Sequence, residues 1–314
     1  MNWITVALAG YGLNAVASVF DKFLLSEKRI GAPALYGFFL SLMSLPFMAL
    51  IPFGFVLFVP AAVMLGIASG FVFLYGLLTS YMAIKRSEVS RAVPLIGVTA
   101  VGFLFVVSLG ALFLSGGSVS LSSLLALGLL VGGAILLSTG GKGVRGPGFI
   151  RYIVISGGLM AVSMALLKAS YLTSNFMTGF VWSKAGMFLG GVSLFTVSSF
   201  REVILSSHDR FATPKRKRNL MTIGYFLLTQ VFGGIGTILV SYAVSLGSAT
   251  FVQGMNGIQY GLVFVFATVL SVRYPHVFRE HIGHREIVRK MVAIILLALG
   301  IWLASVGTGL DDIL

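Results

Sequence analysis

Ten successive stretches of apolar residues constrain this chain more than any other feature. They cover residues 3–20, 34–51, 61–84, 89–114, 121–138, 149–167, 178–200, 220–246, 249–272 and 288–306. About 20 apolar residues in a helix cross the hydrocarbon core of a bilayer. The fold class this predicts is an all-α integral membrane protein with ten transmembrane helices. Composition agrees, with 57% hydrophobic and 10% charged residues, against about 25% charged in soluble domains. The start at Trp3 has no basic region before it and no small-residue cleavage site after it. It reads as a retained helix, not a signal peptide.

The runs repeat. Ser80, Tyr81 and Ser87 match Ser241, Tyr242 and Ser248 at one offset of 161. Ala15, Val16 and Lys22 match Ala161, Val162 and Lys168 at an offset of 146, and Tyr36 falls on Trp182. Residues 133–138 resemble 300–305. The chain thus divides into a first five-helix repeat, residues 1–139, a Gly- and Arg-rich linker, 140–148, and a second five-helix repeat, 149–314. Because five is odd, the halves insert in opposite directions. That is the inverted-repeat plan of many transporters.

Charge gives an independent reading. The odd-numbered loops hold 20 of the 22 Lys and Arg residues. The other two, Lys168 and Lys184, flank the sixth loop. Positive-inside logic puts the odd loops in the cytoplasm and both termini outside, in a multi-pass protein of the plasma (inner) membrane. The net charge of +13 then reports topology rather than nucleic-acid binding. The run Pro214-Lys215-Arg216-Lys217-Arg218 is a topology anchor on the same grounds.

Several residues together resemble a family. These are Lys22 after the first run, Glu88-Val89-Ser90-Arg91-Ala92-Val93-Pro94-Leu95 opening the fourth, and Leu297-Ala298-Leu299-Gly300-Ile301 closing the tenth. With the five-plus-five plan, the chain resembles the EamA-like branch of the drug/metabolite transporter superfamily. The resemblance implies ten helices in two repeats and transport of small solutes. It departs in two places. Ser115-Gly116-Gly117 stands where relatives often carry a glutamate, and only Glu280 keeps an acid in the second half. Relatives usually have cytoplasmic termini, whereas the charges here place the termini outside.

The ninth run offers the best cavity wall. Gln253, Asn256 and Tyr260 follow i, i+3, i+7 spacing and share one helical face. Gly254, Gly257 and Gly261 share the next face, where backbones can pack closely. Two readings are open for the amides: contacts to a solute, or glue between helices. In the fourth run Glu88 and Arg91 are three apart and can pair, and Pro94 cannot donate to the carbonyl of Ser90. This is either a gate or an ordinary helix start. Asn14 with Tyr11 and Ser18, Gln230 beside Gly233-Gly234, and Lys184, six residues into its run, complete the cavity set. Lys168 is expected to snorkel, with Tyr171 and Trp182 as interfacial anchors.

Absences narrow the chemistry. All nine acidic residues lie at helix ends, in loops or in the tail, and the four histidines, His208, His276, His281 and His284, lie in two loops. No carboxylate or histidine relay sits mid-span. There is no cysteine, no GxxxxGK[ST] phosphate loop and no hydrolase or metalloprotease motif. The expectation is a non-enzyme without cofactor or metal. Three functions fit: a secondary transporter moving a small neutral or anionic metabolite by alternating access, a lipid or lipid-linked sugar flippase, or a membrane scaffold. The partners implied are a small-molecule substrate and the lipid bilayer, with no nucleic acid. A homodimer is compatible with all three.

Overall fold

The structure is a computed structural model that describes residues 2–26, 33–56, 59–84, 89–115, 120–138, 148–206, 216–273 and 284–306. Among these residues there is no strand. The helices are α1 (Trp3–Ser26), α2 (Pro33–Leu42), α3 (Pro60–Ile84), α4 (Val89–Ser115), α5 (Leu121–Ser138), α6 (Phe149–Thr173), α7 (Phe176–Ser193), α8 (Ser198–Ser206), α9 (Arg216–Leu246), α10 (Ala249–Gly254), α11 (Asn256–Arg273) and α12 (His284–Val306). Short 3-10 turns, Leu45–Leu50 and Leu194–Thr196, follow α2 and α7.

Three of the expected runs are interrupted. Residues 34–51 divide into α2 and a 3-10 turn that Pro46 opens. Proline lacks the N–H that a continuing α-helix would use. Residues 178–200 divide at Val197, where the chain bends by 99° from α7 into α8. Residues 249–272 divide at Met255. Among the described residues, Pro60–Ile84, Phe149–Thr173 and Leu227–Leu246 are long and apolar enough to cross a membrane, and the bent α7–α8 pair counts as a fourth. Five further apolar helices of 10–17 residues fill other runs.

Small residues let the helices approach closely. Along α3 and α6, Ser69 Oγ donates to the Ser163 carbonyl at 2.8 Å and Ser163 Oγ returns a bond to the Ser69 carbonyl at 2.9 Å. Ser80 and Ser156 share a hydroxyl bond of 2.5 Å, and Ser170 Oγ donates to the Ala62 carbonyl at 2.8 Å. In a bilayer each interhelical bond of this kind contributes about 0.6 kcal/mol. Where α3 crosses α7, Gly70 lies against the Ser183 backbone and Gly186 against that of Ile67, so a side chain at either glycine would meet main chain. Gly10 and Gly236 bring α1 onto α9 in the same way.

The pairing of α5 with α12 is reciprocal. Gly133 faces Leu297 and the Ala293 carbonyl, while Gly300 faces Leu130 and the Ala126 carbonyl. Buried positions elsewhere are mostly alanine, glycine, serine and medium-sized apolar residues, whereas Met64, Val106, Leu121, Val269 and Trp302 are exposed on outer faces.

The loop after α2 is tied to the start of α7. Asn175 caps α7 by accepting from the Thr178 N–H at 2.8 Å, and its amide donates to the Gly54 carbonyl at 2.9 Å. Thr178 Oγ1 accepts from the Val56 N–H at 2.9 Å. An N-cap of this type contributes about 1 kcal/mol.

Candidate functional site

The break between α10 and α11 organises the site. Met255 N–H still bonds back to the Phe251 carbonyl at 3.0 Å, but Ile258 N–H bonds only three residues back, to Met255, at 2.9 Å. In a continuous helix the Val252 carbonyl would take the Asn256 N–H. Here it accepts from the buried Tyr11 hydroxyl of α1, at 2.7 Å. Tyr11 thus satisfies an acceptor that the break would otherwise leave orphaned in a dry interior.

Gln253, Asn256 and Tyr260 line one cleft between α4, α5, α10 and α11. Gln253 is buried, and the Asn256 Oδ1 atom is sealed from solvent with no hydrogen-bond partner among the described residues. The facing walls are apolar, from Val98, Val101, Leu130 and Val131. The free volume is about 10 Å³, room for about one water. Gly97 makes space for Tyr260, because a Cβ there would stand 3.1 Å from the phenol oxygen. The glycine face packs away from the cleft or along its edge. Gly254 meets Leu130, Gly257 meets Leu297 and Gly261 meets Ile294.

The other residues singled out in the sequence are distributed around this centre. The Asn14 side chain lies on Gly236 of α9, and the Asn14 carbonyl accepts from Ser18 Oγ at 2.8 Å. Ser18 Oγ in turn accepts from Gln259 Nε2 at 3.1 Å, which ties α1 to α11. Gln259 was not among the sequence candidates, although it stands between Asn256 and Tyr260. Gln230 is half-buried on α9, one turn before Gly234, against which the Phe47 ring rests. Lys184 is half-buried, with its ammonium 5.0 Å from the Phe47 ring centre and 4.9 Å from that of Phe180.

Of the gate candidates, Pro94 is buried within α4, which runs on through it. Glu88 and the Arg91 side chain lie outside the described residues.

Two expectations are corrected. Lys168 does not snorkel. It is 6% exposed and donates to the Val244 carbonyl at 3.1 Å and the Gly247 carbonyl at 2.8 Å, at the C-terminal end of α9. Free carbonyls and the negative end of the helix dipole draw the ammonium inward. Tyr171 is not an interfacial anchor either. It is buried in the cluster that holds Tyr11, Phe180, Val244, Val252 and Met255. Trp182 sits beside Phe55 with its indole N–H buried and without a partner among the described residues. No group of three or more potential metal ligands occurs among the described residues.

No family model matches the chain, and no curated protein matches it. Among solved structures, one described only as "Crystal structure of protein" aligns over 96% of both chains, with a TM-score of 0.58 and 13% identity. At that identity the likeness concerns the fold alone. It extends over nearly the full length, so the arrangement of helices described above has a counterpart among experimental structures.

Proposed function

We propose that the protein is a secondary membrane transporter, similar to EamA-like drug/metabolite transporters, that moves a small neutral or anionic solute by alternating access. The observation that carries this reading is the α10–α11 break. A discontinuous helix is the device by which many transporters present helix ends and freed backbone groups in mid-membrane, and here Gln253 and Asn256 stand at such a break with Tyr11 behind it. Irregular backbone is tolerated at that depth only where it is buried in protein or lines a cavity.

The helix pairing supports a ten-helix inverted repeat. Gly133, Leu130 and Ala126 correspond to Gly300, Leu297 and Ala293 at one offset of 167, and each set packs on the other. Residue i touches j and its counterpart touches back, as at a two-fold axis. The packing of α3 on α6 has its match in α9 on α1, and α4 on α6 has its match in α11 on α1. Exposed apolar faces around a core of small and hydroxylic residues suit lipid as the surrounding solvent.

A scaffold would have its central amides fully paired, and Asn256 Oδ1 is not. A flippase needs a polar slot that reaches the bilayer edge, and the walls facing the amides are apolar. The test is a thermal-shift screen of the purified protein against metabolite pools, followed by flux of the stabilising compound into proteoliposomes. A ligand that binds the native state raises its melting temperature. A transporter yields a stabilising compound that also crosses the vesicle membrane. A compound that binds and never crosses contradicts the proposal.

A further inference from the structure

Lys184 carries a charge that its surroundings leave unanswered. It is the ninth residue of α7, so about 12 Å of helix separates it from the start of α7. Its ammonium lies over the faces of Phe47 and Phe180. No hydrogen-bond acceptor or carboxylate among the described residues meets it. The rings do not replace a counter-ion, because a ring face attracts a cation more weakly than an anion does. An ionisable group at this depth marks a solute path when nothing in the protein pairs with it. Lys168 is the internal comparison, since it is more deeply buried and ends on two carbonyls.

The neighbours add a second constraint. Phe47 and Phe180 meet edge to face at 5.6 Å, and Phe180 stacks on Phe176 at 5.4 Å, which meets Tyr242 at 5.1 Å. Phe180 also belongs to the packed cluster of Tyr11, Val252 and Met255, directly behind the break. A positive charge therefore stands beside an aromatic cluster that shares its packing with Val252 and Met255, the residues on either side of Gln253 and Gly254.

We propose that Lys184 is an anion anchor of the solute path, and that the solute is an organic carboxylate with an apolar or aromatic body. This rests on the transporter reading and narrows it from neutral or anionic to anionic. The carboxylate answers the ammonium, and the body lies against the partly buried ring of Phe47. The free protein bears an uncompensated charge, which the bound solute neutralises.

The test uses the purified full-length protein with phenylacetate and its neutral isostere phenylacetamide as probes. Melting temperature is followed against probe concentration for wild type, Lys184→Met and Lys184→Arg. The expected result is a concentration-dependent rise with phenylacetate and little change with phenylacetamide. Lys184→Met should abolish the rise and Lys184→Arg should retain part of it. Without probe, Lys184→Met should melt at or above the wild-type temperature, because it removes a half-buried charge that no described residue pairs with. Equal response to both probes, no response to either, or a phenylacetate response that survives Lys184→Met would overturn the proposal. So would a Lys184→Met protein that melts well below wild type, since that marks a structural cation. Phenylacetate binding that needs Lys184 but brings no flux would keep the anchor and remove the transporter. Flux of a neutral solute with no such binding would do the reverse.

Discussion

Lys168 Nζ lies 2.8 Å from the Gly247 carbonyl, joining the sixth helix to the end of the ninth across 79 residues of sequence. A second bond, to Val244, makes the ammonium a bidentate cap on α9. Gly247 is fixed from the other side by the Trp3 ring, which a Cβ at this position would meet at 2.7 Å. α1, α6 and α9 therefore converge on one buried, charge-assisted hydrogen-bonded contact.

The first prediction follows from that contact. Lys168→Met leaves two carbonyls uncapped in a dry environment. Hydrogen bonds to a charged group contribute about 1.5–3 kcal/mol, so the variant should lose stability on that order. Melting in detergent measures it. A variant as stable as wild type would show that the cap is dispensable.

The contrast between the two lysines also shows what was legible in sequence. Lys168 looked like a helix-end residue that reaches for the interface. Its true partners lie on a helix that sequence proximity could not pair with it. The apolar runs themselves were legible, because apolar residues on the outer faces of the helices keep each run continuous. The breaks were not. Residues 249–272 read as one helix since Phe251, Val252, Met255 and Ile258 continue the apolar pattern across Met255. The available signal is the pairing of each amide with a following glycine, Gln253-Gly254 and Asn256-Gly257, a pattern that also reads as a packing face. The same holds at Val197, where α8 turns its Ile204 into the core although the run reads straight through.

Glycine packing supplies the second prediction. At Gly257 an added Cβ would sit 2.6 Å from a Leu297 methyl, the movable end of a side chain. At Gly186 the obstacle is the Ile67 backbone. Overpacking costs about 1–3 kcal/mol where neighbours can shift. Gly257→Ala should stay within that range, Gly257→Leu should exceed it, and Gly186→Ala should be worse than Gly257→Ala. Yield and melting of the three variants decide; equal behaviour of the two alanine variants would refute the distinction.

Topology provides the third. A reporter active only in the cytoplasm should be silent at the C-terminus and active when inserted after Arg218. The basic residues of the odd-numbered loops motivate this orientation. The opposite pair of signals would reverse it.

The fourth concerns the orphaned oxygen. Asn256 Oδ1 is buried without a partner among the described residues, so replacing the amide with an apolar group removes an unmet need. Asn256→Leu should be neutral or stabilising in the ligand-free protein, since an unsatisfied buried polar atom costs about 1–3 kcal/mol. A clear loss of melting temperature would mean that the amide serves as structural glue.

The most direct measurement is flux of the stabilising solute into proteoliposomes containing wild type, Gln253→Ala or Asn256→Ala, with melting recorded for each preparation. A lost solute hydrogen bond weakens binding by on the order of 1 kcal/mol, and by more where its partner is left buried. The account predicts that wild type accelerates uptake and that both variants slow it several-fold while melting within a few degrees of wild type. Variants that melt early and still transport at the wild-type rate would contradict it.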